Sequence, residues 1–409
     1  MIVTLIFLTI ISTLRLALLL PIKRFKSHPA SKSIPNISEL QKMSDIPQKI
    51  PLWTILVPIY RETERDIKKL RTNLFHSKYP YLEIIFLCEE VDAVTTHFLK
   101  GIINENNGSE ASRKILEKIF IVPRIEPFTK PKACNYGLEI ARGEYVTIYD
   151  IEDIPHPHQI HAALYYFQKI KCDCVQFPLN FIHDGLILSG WQKIDYTVWY
   201  FCLIPMLQKL NSPIPLGGTS NHFKTNTLRE IGGWKSYNVT EDAELGIRMK
   251  IKGLKVHYVE KYETLEPTLC NIINLMNQRV RWCKGHFLTF FETFIPLFLK
   301  SPVSVLFTFF LLSSSTFTCL GYIYTTLSLN FLNYTHIEQK FIMCLLMWGI
   351  ALFFINPLML LWRFPELRTR KLILCVLFYN VYIIFYTIPT IRASIECLIK
   401  PGVWYKTAR

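Results

Sequence analysis

The sequence predicts an α/β domain built on a mostly parallel sheet, joined to an α-helical transmembrane region. Three observations carry this. From Trp53 to about Lys261, short apolar runs alternate with amphipathic stretches, as in strands buried on both faces beneath covering helices. Three uncharged apolar stretches follow, at 303–329, 341–362 and 372–391. Each matches the roughly 20 residues needed to cross a hydrocarbon core of about 30 Å. Finally, residues 1–20 are apolar apart from Arg15, and Lys23, Arg24 and Lys26 follow directly after Pro21 and Ile22.

Taken in order, residues 1–22 read as a signal-anchor helix with its C-terminal end inside. A cleaved signal peptide would carry its charge before the apolar run. Residues 23–50, with Ser, Pro and Lys, read as a linker. The domain proper is assigned to 51–285. WTILVPI (53–59), EIIFLC (83–88), IFIV (119–122), EYVTIY (144–149) and CVQF (174–177) are its expected strands, and 63–76, 109–118, 131–141 and 157–170 its expected helices. Ligands of such sheets bind beyond the carboxyl ends of the strands. Glu89 and Glu90 stand at the end of the second strand, and Asp150 onward at the end of the fourth. Within 286–409, residues 286–300 are aromatic-rich and amphipathic and suit the membrane interface. The loop 363–371 carries Arg363, Arg368, Arg370 and Lys371 against one Glu, which places it on the cytoplasmic side. A spanning 372–391 would put a basic tail outside, so re-entry is the alternative for that stretch.

Composition narrows the partners. The 409 residues are 50% hydrophobic with a formal charge of +14. The basic residues form no run and accompany no nucleic-acid motif, which excludes DNA or RNA as the partner. Anionic lipid headgroups and a diphosphate ligand fit the excess charge. The eleven cysteines are scattered, and Cys172 with Cys174, lacking a second pair, makes no zinc site. Reduced, structural thiols suit a cytoplasmic domain.

Three short segments carry chemistry. DIED at 150–153 offers Asp150, Glu152 and Asp153 as oxygen ligands for Mg²⁺ or Mn²⁺, to which a protein commonly lends one or two carboxylates. The same residues would also make an acidic turn capping the helix near His158. In TED at 240–242, Thr240 suits an N-cap, and Glu241 and Asp242 suit a helix dipole. The preceding PLGGTSNHFK (215–224) lets backbone approach a ligand closely, which makes Asp242 a general-base candidate with Glu241 beside it. In QRVRW at 278–282, Arg281 presents a planar fork for pyrophosphate or carboxylate, and Trp282 a stacking face. Interfacial anchoring is the other use of such residues. Upstream, KPKACN (130–135) puts Lys130 and Lys132 at a helix start, where phosphate is met.

Together VPIYRE (57–62), CEE (88–90), KPKACNYGL (130–138), YDIEDIP (149–155), LGGTSNHF (216–223), GGW (232–234), NVTEDAELGIRM (238–249) and QRVRWCKG (278–285) resemble, in order, the blocks of membrane-bound family 2 glycosyltransferases of the cellulose-synthase-like, processive group. The tail KPGVWYKTAR (400–409) resembles one that follows the membrane helices in some members. The resemblance implies a GT-A-like nucleotide-sugar-binding fold. It also implies inverting transfer of a hexose from a UDP- or GDP-sugar onto a growing polysaccharide, at the cytoplasmic face of the plasma (inner) membrane. Pro58, Tyr60 and Glu62 would line the base and ribose pocket, with Lys132 on the donor. Glu89 or Glu90 stands where an Asp usually meets uridine, a departure that leaves the nucleotide open. Asp150 and Glu152 would match the metal-binding DxD, with Asp153 as the alternative ligand. Asp242 would match the base, and Gln278, Arg281 and Trp282 the gate around pyrophosphate and acceptor. Two rival functions are single-sugar transfer to a polyprenyl-phosphate carrier, against which QRVRW weighs, and a non-catalytic subunit of an export complex, against which the motif carboxylates weigh. Three or four spans are few for a channel, so a homo-oligomer or export partner is expected.

Overall fold

The computed structural model describes residues 50–77, 79–104, 114–182, 185–305 and 355–399, with isolated helical positions at 340, 344 and 347. The expected anchor at 1–22, nearly all of the linker 23–50, most of the stretches 303–329 and 341–362, and the tail 400–409 lie outside the described residues. The strands are β1 (Trp53–Ile59), β2 (Tyr81–Glu89), β3 (Lys114–Val122), β4 (Tyr145–Ile148), β5 (Cys174–Gln176), β6 (Leu179–Ile182), β7 (Asn221–Lys224), β8 (Val256–Tyr258) and β9 (Thr264–Pro267). The helices used below are α1 (Glu64–Phe75), α2 (Ala93–Asn104), α3 (Lys130–Ile140), α4 (Gln159–Ile170), α5 (Ile187–Val198), α6 (Glu241–Ile251), α7 (Ile272–Lys300), α8 (Arg370–Leu377), α9 (Tyr379–Phe385) and α10 (Thr387–Ile399).

The chain divides into two compact units. Of the described residues, one comprises those from 50 to 180 and from 211 to 267, and the other those from 181 to 210 and from 268 to 399. Residues 181–210 and 268–285, assigned by sequence to the 51–285 domain, therefore pack within the second unit.

In the first unit a seven-stranded sheet runs β3-β2-β1-β4-β7-β5-β8. β3, β2, β1 and β4 are parallel, β7 is antiparallel to both β4 and β5, and β5 pairs parallel with β8. Central β1 is buried along nearly its whole length, as a run apolar at every position but Thr54 requires. Its alternate side chains feed two cores, Trp53, Ile55 and Val57 on one face and Leu56 with Ile85, Leu87 and Val146 on the other. The Thr63 hydroxyl caps α1, which buries Ile67, Leu70 and Leu74.

One sequence expectation needs correction here. The helix expected at 109–118 is a strand from Lys114 onward, in register with β2 from Tyr81↔Lys114 to Glu89↔Val122. Apolar residues at 115, 116, 119 and 120 mimic helical spacing, but Glu117 and Lys118 are edge-strand charges. Arg71 forks onto Glu117 at 2.8 and 2.7 Å, and Lys118 reaches Glu83 at 2.8 Å. The helix of this region is α2, whose AVTTHFLKGIIN is rich in β-branched residues and gives little helical signal. Buried Glu83 also accepts from Thr54 Oγ1 at 2.7 Å and from Arg142 N and Nε at 2.9 Å. Burial opposes its charge, yet these donors hold its carboxyl down at about 2.

In the second unit α7 runs unbroken for 29 residues, capped by the Asn271 side chain. The stretch 372–391 is not one helix. It turns at Phe378 and Tyr386, between α8, α9 and α10. The hydroxyls of Tyr379 and Tyr382 are drawn to Asp195 of α5, at 2.5 and 2.7 Å, which ties this segment to protein groups. Among the described residues, Val381–Ile399 alone has the length and hydropathy to cross a membrane.

Candidate active site

The candidate site of the first unit lies past the carboxyl end of β4. Tyr149 ends the apolar run, its hydroxyl donating to Gln159 Oε1 at 2.7 Å. Asp150 then begins a turn closed by Asp153, whose Oδ2 accepts from Asp150 N at 2.8 Å and lies 2.5 Å from Thr219 Oγ1. Asp153 is 1% exposed. Burial, with Glu266, Asp150 and Glu152 nearby, pushes its carboxyl well up. Of its two oxygens, Oδ2 is committed to the turn and Oδ1 is buried without a hydrogen-bond partner. Asp150 and Glu152 are only partly buried.

Opposite Asp150 is the first residue of α3. Lys130 Nζ contacts Asp150 Oδ1 at 2.5 Å and donates to the Gly218 carbonyl at 2.7 Å. Burial works against its charge, but Asp150 and Asp242 more than offset this and raise its pKa. Lys132, the lysine the sequence assigned to the donor, is instead 6% exposed and turned to Glu89 at 3.3 Å and to the carbonyls of Pro123 and Ile125 at 3.1 Å. Its ammonium braces the end of β2.

Asp242 opens α6. Thr240 occupies the N-cap position without a side-chain cap bond, and its hydroxyl turns to Asn238. Asp242 is 7% exposed, and its Oδ1 is buried without a hydrogen-bond partner. Burial, with Glu241 next to it, raises its carboxyl well above the usual carboxylate range. The segment 217–220 is strapped down by Gln176 and Asn221. Gly217 N donates to Gln176 Oε1 at 2.9 Å, and Asn221 Nδ2 donates to the Gly217 carbonyl at 2.6 Å. A Cβ on Gly218 would stand 3.7 Å from Asp242 Oδ2 and 3.9 Å from Lys130 Nζ. The bare backbone of Gly218 thus faces both groups, and Asp150, Lys130, Gly218 and Asp242 form one cluster.

The donor-side residues lie at neighbouring strand ends. Pro58, Tyr60 and Glu62 are half-buried. Arg61 between them adopts φ +54°, its N–H donating to Asp92, while Glu62 N donates to Thr95 Oγ1 at 3.3 Å. Asp92 also accepts from Thr95 N at 3.2 Å, so the start of α2 fixes the end of VPIYRE. Glu90 is exposed and takes the Arg124 N–H at 2.9 Å.

Gln278, Arg281 and Trp282 lie on α7 of the second unit. Gln278 is buried with Oε1 unpartnered, and Arg281 and Trp282 are half-buried. Sequence reasoning placed Lys130 at a helix start for phosphate but did not pair it with Asp150, and it missed Arg279, whose signal was its position three residues before Trp282, on the same helix side. Among the described residues no three His, Cys, Asp or Glu side chains converge as a metal cluster.

A family model described as glycosyltransferase like family 2 matches residues 51–285, and one described as glycosyl transferase family 21 matches 206–379. A probable glucomannan 4-beta-mannosyltransferase 7 of Oryza sativa subsp. japonica is 23% identical over 270 residues, 64% of this chain and 45% of that protein. The poly-beta-1,6-N-acetyl-D-glucosamine synthase of Staphylococcus aureus (strain COL) is 26% identical over 242 residues, 57% of this chain and 54% of that protein. The chain thus spans about half the length of these curated relatives. A mannosyltransferase from Pyrobaculum calidifontis, solved in complex with GDP-Man and Mn²⁺, superposes with a TM-score of 0.56 at 15% identity, covering 96% of this chain and 99% of that one. The likeness shows a shared fold, the GT-A-like α/β architecture with a mostly parallel sheet.

Proposed function

Because the chain belongs to glycosyltransferase like family 2, we propose that it moves a hexose from a UDP- or GDP-sugar onto a growing polysaccharide at the cytoplasmic face of a membrane, with inversion at the anomeric carbon. One observation carries the reading. Asp242, buried and with an unpartnered oxygen, faces the bare backbone of Gly218 beside the Lys130–Asp150 pair. A carboxyl raised by burial is a stronger base than one in water, which suits removal of a proton from an acceptor hydroxyl. As that oxygen attacks the anomeric carbon, the bond to the diphosphate breaks and Asp242 keeps the proton. One carboxylate in one displacement inverts the centre. Glu241 at the same helix start keeps Asp242 basic. Lys130, the nearest cation, meets the diphosphate charge as it develops.

The residues also fit a hard divalent cation. Asp150 and Glu152 offer carboxylate oxygens in the number a protein lends Mg²⁺ or Mn²⁺, and the place beside Asp150 already accommodates a cation, the Lys130 ammonium. When bound, such an ion offsets the charge of the leaving diphosphate. Pro58, Tyr60, Glu62, Glu89 and Glu90 serve the nucleoside, and Gln278, Arg281 and Trp282 serve the pyrophosphate and acceptor. Residues 51–285 face the cytoplasm, and a second copy or an export partner completes the route for the polymer.

The test is incubation of membranes containing the protein with labelled UDP- and GDP-sugars, followed by product sizing. A polymer made in Mg²⁺ or Mn²⁺, abolished by chelator and by Asp150→Asn, is expected. Full activity in chelator rejects the metal. A single-sugar product extracting with lipid rejects the polymer, and no transfer from any donor rejects the function.

A further inference from the structure

We infer that Arg279 is a positioning residue that sets the ring of Trp282, and that Asp195 and Tyr382 hold it for that task. The Arg279 side chain is wholly buried. Its Nη2 donates to Asp195 Oδ2 at 2.7 Å and its Nε to Tyr382 Oη at 3.0 Å, while the guanidinium carbon stands 4.2 Å from the Trp282 ring centroid. Asp195 is fixed in turn, accepting from Tyr379 Oη at 2.5 Å and Tyr382 Oη at 2.7 Å. The neighbour of Asp195 on α5, Tyr196, lies 6.3 Å from the indole at 35°. All these groups belong to the second unit.

A buried Arg–Asp pair gives no more stability, on average, than apolar residues of the same volume. What it adds here is orientation. Two oxygens, Asp195 Oδ2 and Tyr382 Oη, accept from two edges of the planar fork and hold its face against the indole. Trp282 keeps the partial exposure that a stacking platform needs. The inference rests on the reading of Trp282 as the acceptor platform, and it makes Asp195, some 80 residues earlier in the chain, part of acceptor handling.

The experiment uses the full chain in detergent with labelled GDP-mannose and UDP-glucose as donor probes, in four variants: Arg279→Lys, Tyr382→Phe, Trp282→Ala, and Arg279→Lys with Trp282→Ala. Arg279→Lys keeps the charge and loses the plane. It should shorten products and raise donor hydrolysis relative to transfer by roughly tenfold, with GDP and UDP affinity within about twofold of normal. Tyr382→Phe, a milder change, should move the same readouts less. In the Trp282→Ala background Arg279→Lys should add nothing, the sign of action through Trp282. Trp282 emission, taken as the difference between each protein and its Trp282→Ala counterpart, should shift in Arg279→Lys even where no transfer is measured. Equal effects of Arg279→Lys in both backgrounds, or unchanged Trp282 emission, would overturn the inference while leaving the transferase reading intact. Unchanged products in Trp282→Ala would remove the platform and the inference together.

Discussion

Replacing Asp242 by Asn should move activity and stability in opposite directions. The substitution keeps the shape at the start of α6 and removes the charge. Lys130 keeps Asp150 as its partner, so no cation is stranded. A general base is worth about 10²–10⁴ in rate, or about 3–5 kcal/mol of barrier, and transfer should fall by that factor with nucleotide binding little changed. Stability should rise. Burial raises the Asp242 carboxyl, so its contribution to folding is complete below the unfolded value of 3.8 and is lost as pH climbs through the folded value. Once pH passes the folded value, the charged, partnerless oxygen is a burden on the fold, and removing it should raise the melting temperature. The advantage of the Asn variant should grow from pH 4 upward. The assays are single-turnover transfer and thermal unfolding of the detergent-solubilised protein at several pH values. An inactive variant that melts lower would mean that Asp242 holds the fold together, and normal transfer would put the base elsewhere.

Gly218→Ala should fold normally, since its Cβ meets only ordinary contacts, yet weaken donor binding if that space receives ligand; Gly246→Ala, with a Cβ 2.0 Å from the Ile214 carbonyl, should lose about 3 kcal/mol of stability. Unchanged nucleotide affinity in Gly218→Ala, by calorimetry, would move the ligand away from that loop. Burial holds the His222 ring down at about 3 against 6.5, so the unfolded chain takes up a proton that the native one refuses, and stability falls as pH drops below 6.5, by about 2 kcal/mol at pH 5. His222→Gln should flatten that slope in urea titrations, and an unaltered slope would reject the assignment. Lys130→Met should cut nucleotide-sugar affinity at least tenfold, and less than additively with Asp150→Asn, because the two share one ion pair; fully additive losses would show independent roles.

What could be read from the sequence follows from how local each signal is. β1 and β4 announce themselves because both faces are covered and every residue but Thr54 and Thr147 is apolar or aromatic. β3 does not, because an edge strand carries charges whose spacing imitates a helix, and its partners Arg71 and Glu83 come from other elements. The carboxylates Asp150 and Asp242 stand out as short motifs at element boundaries. Their common neighbour could not be read in the same way. Lys130 and Lys132 are alike in sequence, and only the direction of the first turn of α3 sends one to Asp150 and the other to Glu89. Asp153 reads as a third ligand in DIED, and nothing local announces that the hydroxyl of Thr219, far along the chain, bonds one of its oxygens.

The polypeptide leaves the sheet unit after Asn180, returns at Asn211, and leaves again after Pro267. This routing governs which fragments can be produced alone. A truncation after Pro267 looks on paper like a clean catalytic piece, but it retains residues 181–210 and discards what they pack against. Trp191 would lose the Cys375 carbonyl, Gln192 both its bonds to Leu269, and Asp195 its arginine and both tyrosine hydroxyls. Such a fragment would carry a sticky, half-dressed helix into solution and should aggregate. A workable soluble version must replace that excursion with a flexible bridge as well as remove the C-terminal region.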